Sequence, residues 1–105
     1  MEKHSTDFTD FNLGSTAVDL AGRTATVGGR KVSLSPQEFG LLEVLIKNQN
    51  IALSRDKLLL LAWGYTYAGE TRTVDTHIQK LRSKLKWEGH IKTHYRFGYR
   101  LEVRA

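Results

Sequence analysis

Thr71-Arg72-Thr73-Val74-Asp75-Thr76-His77-Ile78-Gln79-Lys80-Leu81-Arg82-Ser83-Lys84-Leu85-Lys86 is the stretch on which the reading of this chain turns. Placed on a helix at about 100° per residue, Val74, Ile78, Leu81 and Leu85 fall in one narrow stripe, as in a helix docked on a core. The opposite side contains no apolar residue. Arg72, Thr76, Gln79, Lys80 and Ser83 share it, with Thr73, His77 and Lys84 on one flank and Asp75 and Arg82 on the other. The spacing predicts an amphipathic helix over 71–86 whose outer face is polar and basic.

Downstream the pattern changes. Glu88-Gly89 interrupts the helical period, and two alternating runs follow, residues 91–94 and 99–103, joined through Tyr95-Arg96-Phe97-Gly98. They predict a β-hairpin with a basic, aromatic tip. Upstream, Tyr65, Thr66, Tyr67, Ala68, Gly69 and Glu70 read as a loop. Before it lies a helix over residues 55–63, capped by Ser54, with Leu58, Leu59, Leu61 and Ala62 available for burial. An earlier helix starts at Ser35-Pro36-Gln37-Glu38, where Ser35 can cap, Pro36 suits the first helical position and Glu38 can complete a capping box. Phe39, Leu42, Leu45 and Ile46 recur along it at helical spacing, and Asn48-Gln49-Asn50 breaks it.

Between Phe11 and Leu34 four short strand-like runs alternate with turn residues, the last two flanking Gly28-Gly29, a pair that suits a tight hairpin. A four-stranded antiparallel sheet is the natural reading. Residues 1–9 are polar and aperiodic, a tail or linker remnant, which leaves 10–105 as one domain.

Composition narrows the classes. The chain has 105 residues, 40 % hydrophobic and 26 % charged, close to globular proportions, and no cysteine, which excludes disulfides and thiolate metal sites. The longest apolar run, residues 58–63, is far too short to span a bilayer, so a soluble, cytoplasmic protein without membrane partners is expected. The formal charge of +5 is segregated: residues 72–104 carry a net +6. A single-sign concentration of that kind points to a polyanion.

Catalytic and cofactor readings find little support. Asp75 and His77 point about 200° apart on a helix, and His4, His90 and His94 match no metal-ligand spacing. Gly28-Gly29-Arg30-Lys31 lacks the spacing of a phosphate-cradling loop. No enzyme, cofactor or metal is expected.

A helix fits the major groove of B-DNA, where each base pair presents a distinct set of donors, acceptors and methyl groups. Lys80 can donate to guanine O6 or N7, Gln79 can pair with adenine, and the Thr76 methyl can pack on a thymine methyl. Arg72, Arg82 and Lys84, with Thr73 and His77, suit phosphates, which fix register without reading sequence. A lone charged face is usually just solvated. Here a basic hairpin follows it directly, as in winged-helix proteins.

At Leu34-Ser35-Pro36-Gln37-Glu38-Phe39, Leu53-Ser54-Arg55-Asp56-Lys57-Leu58, Trp63-Gly64, the run from Arg72 to Arg82, Ile91-Lys92-Thr93 and Gly98-Tyr99-Arg100-Leu101, the chain resembles the effector domain of OmpR/PhoB-type response regulators. These motifs occur in order over residues 10–103. The resemblance implies an α+β fold, a winged helix-turn-helix with an N-terminal four-stranded antiparallel sheet, three helices and a C-terminal β-hairpin wing. It implies sequence-specific binding of double-stranded DNA for transcriptional regulation, with Thr76 and Lys80 reading bases and Arg72, Thr73, His77 and Arg82 near phosphates. It also implies Thr93 and Tyr99 against the backbone, and contact of RNA polymerase or its sigma factor with residues 65–70. Tandem binding to direct-repeat half-sites, and a receiver domain upstream if the chain is a fragment, belong to the same expectation.

The chain departs from the family pattern at the wing tip, where Tyr95 replaces a frequent arginine and Arg96 a common glycine, and Arg96 could supply the charge from one residue away. Gln79-Lys80 replaces a frequent arginine pair, and His94 an apolar β-branched residue. The alternative function for such a domain is a protein-interaction or RNA-binding winged helix without specific DNA readout. Salt dependence and base preference separate the two: Lys80→Ala should relax site choice, whereas Arg82→Ala should weaken all sites alike.

Overall fold

The computed structural model describes residues 10–64 and 71–104. The tail expected at 1–9 and the loop expected at 65–70 lie outside the described residues. Chain order is β1 (Asp10–Leu13), β2 (Thr16–Asp19), β3 (Thr24–Val27), β4 (Arg30–Val32), α1 (Pro36–Lys47), β5 (Leu53–Ser54), α2 (Arg55–Trp63), α3 (Thr71–Leu85), β6 (Ile91–His94) and β7 (Gly98–Leu101).

The first four strands form an antiparallel meander in the order β1-β2-β3-β4. Phe11, Val18, Ala25 and Val32 lie opposite one another across it. Because side chains alternate faces, that register puts one apolar row on one side of the sheet, and Val18 and Ala25 are buried in the core. Gly28 and Gly29 both have positive φ, as the two-residue turn between β3 and β4 demands.

α1 begins with the expected capping box: the Ser35 hydroxyl accepts from the Glu38 amide at 3.1 Å, and Glu38 Oε1 accepts from the Ser35 amide at 2.8 Å. Ser54 caps α2 in the same way, accepting from the Lys57 amide at 3.0 Å. Val74, Ile78, Leu81 and Leu85 of α3 have no solvent exposure. Burying four such side chains contributes on the order of 6–12 kcal/mol before conformational entropy is charged against it.

Two features depart from the sequence reading. β5 pairs with β7, so the wing belongs to a three-stranded sheet in the order β5-β7-β6. Two residues are too few to show a period in sequence, and β5 exists because the β7 edge pairs with it. Gly98 makes that approach possible: a Cβ there would lie 1.9 Å from the Leu53 carbonyl oxygen.

The second departure is the end of α3. It stops at Leu85, with Lys86 left-handed at φ 59° and the Trp87 amide donating back to the Arg82 carbonyl at 2.9 Å. That is the wrapped C-terminal closure usually built on glycine. Gly89 does not terminate the helix. Trp87, 1 % exposed, packs edge-on against Phe11 and anchors the helix end to the N-terminal sheet, while the buried Thr16 hydroxyl donates to the Leu85 carbonyl at 2.7 Å.

Candidate nucleic-acid interface

α3 is held by its apolar stripe, and its outer face is open. Arg72, Thr76, Gln79, Lys80 and Ser83 are all exposed. Among the described residues the side chains of Arg72, Gln79, Lys80 and Ser83 make no hydrogen bond or ion pair. The Thr76 hydroxyl donates back to the Arg72 carbonyl at 3.3 Å, so its methyl is the part not tied to the backbone. This row can offer a partner two cations, one amide, a methyl and a hydroxyl.

The flanks are engaged. On one side the His77 ring meets Trp63 of α2 edge-on at 4.9 Å, and Trp63 Nε1 donates to the Gln37 carbonyl. His77 Nδ1 lies 2.8 Å from the Thr73 carbonyl. A carbonyl only accepts, so Nδ1 carries the proton and Nε2 becomes a donor only in the imidazolium.

Further along the same flank, Lys84 Nζ donates to the Ser33 carbonyl at 2.9 Å and to Glu38 Oε1 at 2.8 Å. The Lys84 ammonium, expected near a phosphate, here ties α3 to the start of α1. Burial raises the Glu38 carboxyl, but the hydrogen bonds from Lys84 and the Ser35 amide and the charges of Lys84 and Lys80 outweigh it. Glu38 therefore lies below the ordinary carboxylate value.

On the other flank Asp75 Oδ1 accepts from Arg55 Nε at 2.7 Å and from the Tyr99 hydroxyl at 2.5 Å. Tyr99, expected against the DNA backbone, is 4 % exposed, with its ring in the core and its hydroxyl donating to Asp75. Burial, with the hydrogen bond to Asp75, pushes the phenol above its ordinary value and keeps it a donor. Arg82 donates through Nε and Nη2 to the Ile91 carbonyl and through Nη2 to Thr93 Oγ1. Arg82 thus holds the wing, and among the described residues its Nη1 has no partner. Thr93 is exposed on β6.

The wing tip projects. Tyr95 is 82 % exposed, and the Phe97 amide closes the turn onto the His94 carbonyl at 2.9 Å. Arg96 occupies the turn at φ 61°, its guanidinium carbon 5.3 Å from the Tyr95 ring centre.

Sequence reasoning missed Arg55 and Trp87 as positioning groups, and considered Asp75 only as a catalytic candidate. Arg55 and Asp75 are twenty residues apart, and no local period links them. Trp87 did carry a signal: a large apolar residue directly after the helix end, off the stripe.

Three helices behind a four-stranded sheet, with an open basic helix beside a short wing, define a winged helix-turn-helix domain. The family model described as "Transcriptional regulatory protein, C terminal" matches residues 29–101. The chain belongs to that family, the OmpR/PhoB-type effector domains of response regulators. It is 42 % identical to the transcriptional regulatory protein CseB of Streptomyces coelicolor over 91 residues, 87 % of this chain and 38 % of CseB. It is 36 % identical to the sensory transduction protein RegX3 of Mycolicibacterium smegmatis over 93 residues, 85 % of this chain and 41 % of RegX3. The chain thus spans about two fifths of the length of these curated relatives.

Among solved structures, the Klebsiella pneumoniae RstA DNA-binding domain in complex with RstA box superposes with a TM-score of 0.77 at 34 % identity, covering 89 % of this chain and 96 % of that one. DrrB of Thermotoga maritima, an OmpR/PhoB homologue, gives 0.78 at 27 % identity, covering 90 % of this chain and 45 % of DrrB. Among the described residues no helix is long and apolar enough to cross a membrane.

Proposed function

We propose that this chain binds double-stranded DNA sequence-specifically, as the output domain of a two-component response regulator, with α3 in a major groove and the wing on the neighbouring backbone or minor groove. The observation that carries this reading is the contrast along α3. The flanking side chains His77, Lys84, Asp75 and Arg82 are tied to the scaffold, while the side chains of Arg72, Gln79, Lys80 and Ser83 make no hydrogen bond or ion pair among the described residues. A helix gripped on both flanks and open in the middle suits a partner that enters along its outer face. The likeness to the RstA domain, whose structure contains RstA box, supports the same reading.

In this reading Lys80 donates to guanine, Gln79 pairs with adenine and the Thr76 methyl meets a thymine methyl. Arg72, Thr73 and His77 meet phosphates. Arg82 Nη1 and Thr93 reach the backbone together. Residues 65–70 contact RNA polymerase or its sigma factor, and two copies sit in tandem on direct-repeat half-sites about one helical turn apart. If the chain is a fragment of a longer protein, a receiver domain lies upstream of it, and the protein works in the cytoplasm.

Selection of bound sequences from random duplexes, followed by titration of variants at several salt concentrations, tests the core of the proposal. Lys80→Ala is expected to lose about 1–3 kcal/mol of discrimination at one base position. Arg72→Ala is expected to weaken all sites alike and to reduce the salt slope by about one. Equal affinity for every duplex, unchanged by Lys80→Ala, would sink the reading.

A further inference from the structure

We infer that Asp75, Arg55 and Tyr99, together with Arg82, are positioning residues that fix the angle between α3 and the wing before DNA arrives. The inference rests on the DNA-binding reading above. The geometry is a two-point attachment. Asp75 Oδ1 receives both the Tyr99 hydroxyl of β7 and Arg55 Nε, from the first residue of α2. Seven residues along the same flank, Arg82 grips β6 at the Ile91 carbonyl and Thr93 Oγ1. At 1.5 Å per residue these two grips are about 10 Å apart along the helix axis. One contact would act as a pivot, whereas two at that separation resist rotation.

The Tyr99 ring joins the grips. The guanidinium carbons of Arg55 and Arg82 lie 5.6 Å and 5.5 Å from its centre. Arg55 adds a third tie, its amide donating to the Phe97 carbonyl beside the wing tip at 3.2 Å. Stability alone does not call for this cluster. The core beneath it already buries Val74, Ile78, Leu81, Leu85 and Leu101 completely. The side chains of Arg55 and Asp75 remain 28 % and 38 % exposed, a setting in which an ion pair contributes little to folding. What the cluster supplies is preorganisation, which removes an ordering cost from binding.

Tyr99→Phe keeps the ring and removes only the hydroxyl, and Asp75→Asn keeps an acceptor oxygen and removes the charge. With a selected duplex, Tyr99→Phe is expected to retain guanine N7 protection by α3 while losing wing protection from hydroxyl radicals, with affinity falling about tenfold. In the free protein, residual dipolar couplings of β6 and β7 should lose their fixed orientation relative to α3. Asp75→Asn should lie between Tyr99→Phe and wild type on both measurements.

Unchanged wing protection together with unchanged couplings in Tyr99→Phe would overturn the inference and leave DNA binding standing. Parallel loss of both protections in a folded variant would overturn it too. If wild type binds no duplex, the DNA reading fails, and the couplings still decide whether the two elements are locked together. If Tyr99→Phe does not fold, Asp75→Asn decides the matter by the same two readouts.

Discussion

The outer face of α3 and the wing are both basic, but they use their polar groups differently. On α3 the side chains of Arg72 and Lys80 make no hydrogen bond or ion pair among the described residues. On the wing Thr93 is bound by Arg82, Tyr99 by Asp75, and Arg100 is paired with Glu102. The difference separates two tasks. Readout needs donors and acceptors that no protein group already satisfies, whereas a strand pair of four residues each needs to be held. A hairpin of that size is marginal alone. The wing is held by α3, by β5 and by the residues around Tyr99.

The largest effect should come from breaking the wing at its tightest point. A Cβ at Gly98 would lie 1.9 Å from the Leu53 carbonyl oxygen and 2.9 Å from Ser54 Cα, backbone atoms that can yield only by parting β5 from β7. Gly98→Ala is therefore expected to cost about 3–5 kcal/mol. For a domain of this length that means a melting temperature lower by more than about 12 °C in circular dichroism. A fall of only a degree or two would mean that β5 does not hold the wing.

The second experiment sharpens the comparison within α3, between Lys80 and Lys84. Both are exposed lysines on one helix, but only Lys84 bonds Glu38, whose side chain is 3 % exposed. Lys84→Met leaves that carboxylate buried without its cation, and a loss of about 1–3 kcal/mol is expected. Lys80→Met should stay within about 0.5 kcal/mol of wild type in stability. Acidity gives the same test another way. The Glu38 pKa is depressed in the fold, so its contribution is complete above the ordinary value of 4.5 and is lost as pH falls through the lowered folded value. Urea denaturation between neutral pH and pH 3 should show wild type losing more stability than Glu38→Gln.

Much of this was legible in sequence because the signals were local. The 3.6-residue stripe of α3, the Ser35 capping box and the Gly28-Gly29 turn each specify structure within a few residues, and each stands where it was expected. The open face of α3 was legible for the same reason. What sequence could not show was which polar residues the fold would use up. Lys84 and Lys80 are chemically alike in sequence, and only the position of Glu38, 46 residues from Lys84, separates them. The expectation of Tyr99 against the backbone came from the resemblance alone, and strand alternation does not say which face the fold will bury. β5 has no pattern of its own at all.

The smallest expected effect concerns the wing tip, where Arg96, like Lys92 on β6, leaves a cation without a hydrogen bond or ion pair among the described residues. Arg96 sits at φ 61°, a conformation that costs an L-residue about 1–2 kcal/mol and glycine nothing. Arg96→Gly should relieve that strain. Glycine also gives up more freedom on folding, so the net gain is about 0.5–1 kcal/mol, a rise of a few degrees in melting temperature. If the tip is only a turn, the variant gains stability and binds DNA as before. If Arg96 meets the phosphate backbone or a narrow minor groove, affinity falls for every sequence and the salt slope drops by about one. A more stable protein that binds more weakly is the expected result, because the chain holds a cation at a position where glycine would fold better. Unchanged affinity and slope would confine DNA contact by the wing to Thr93 and its neighbours on β6.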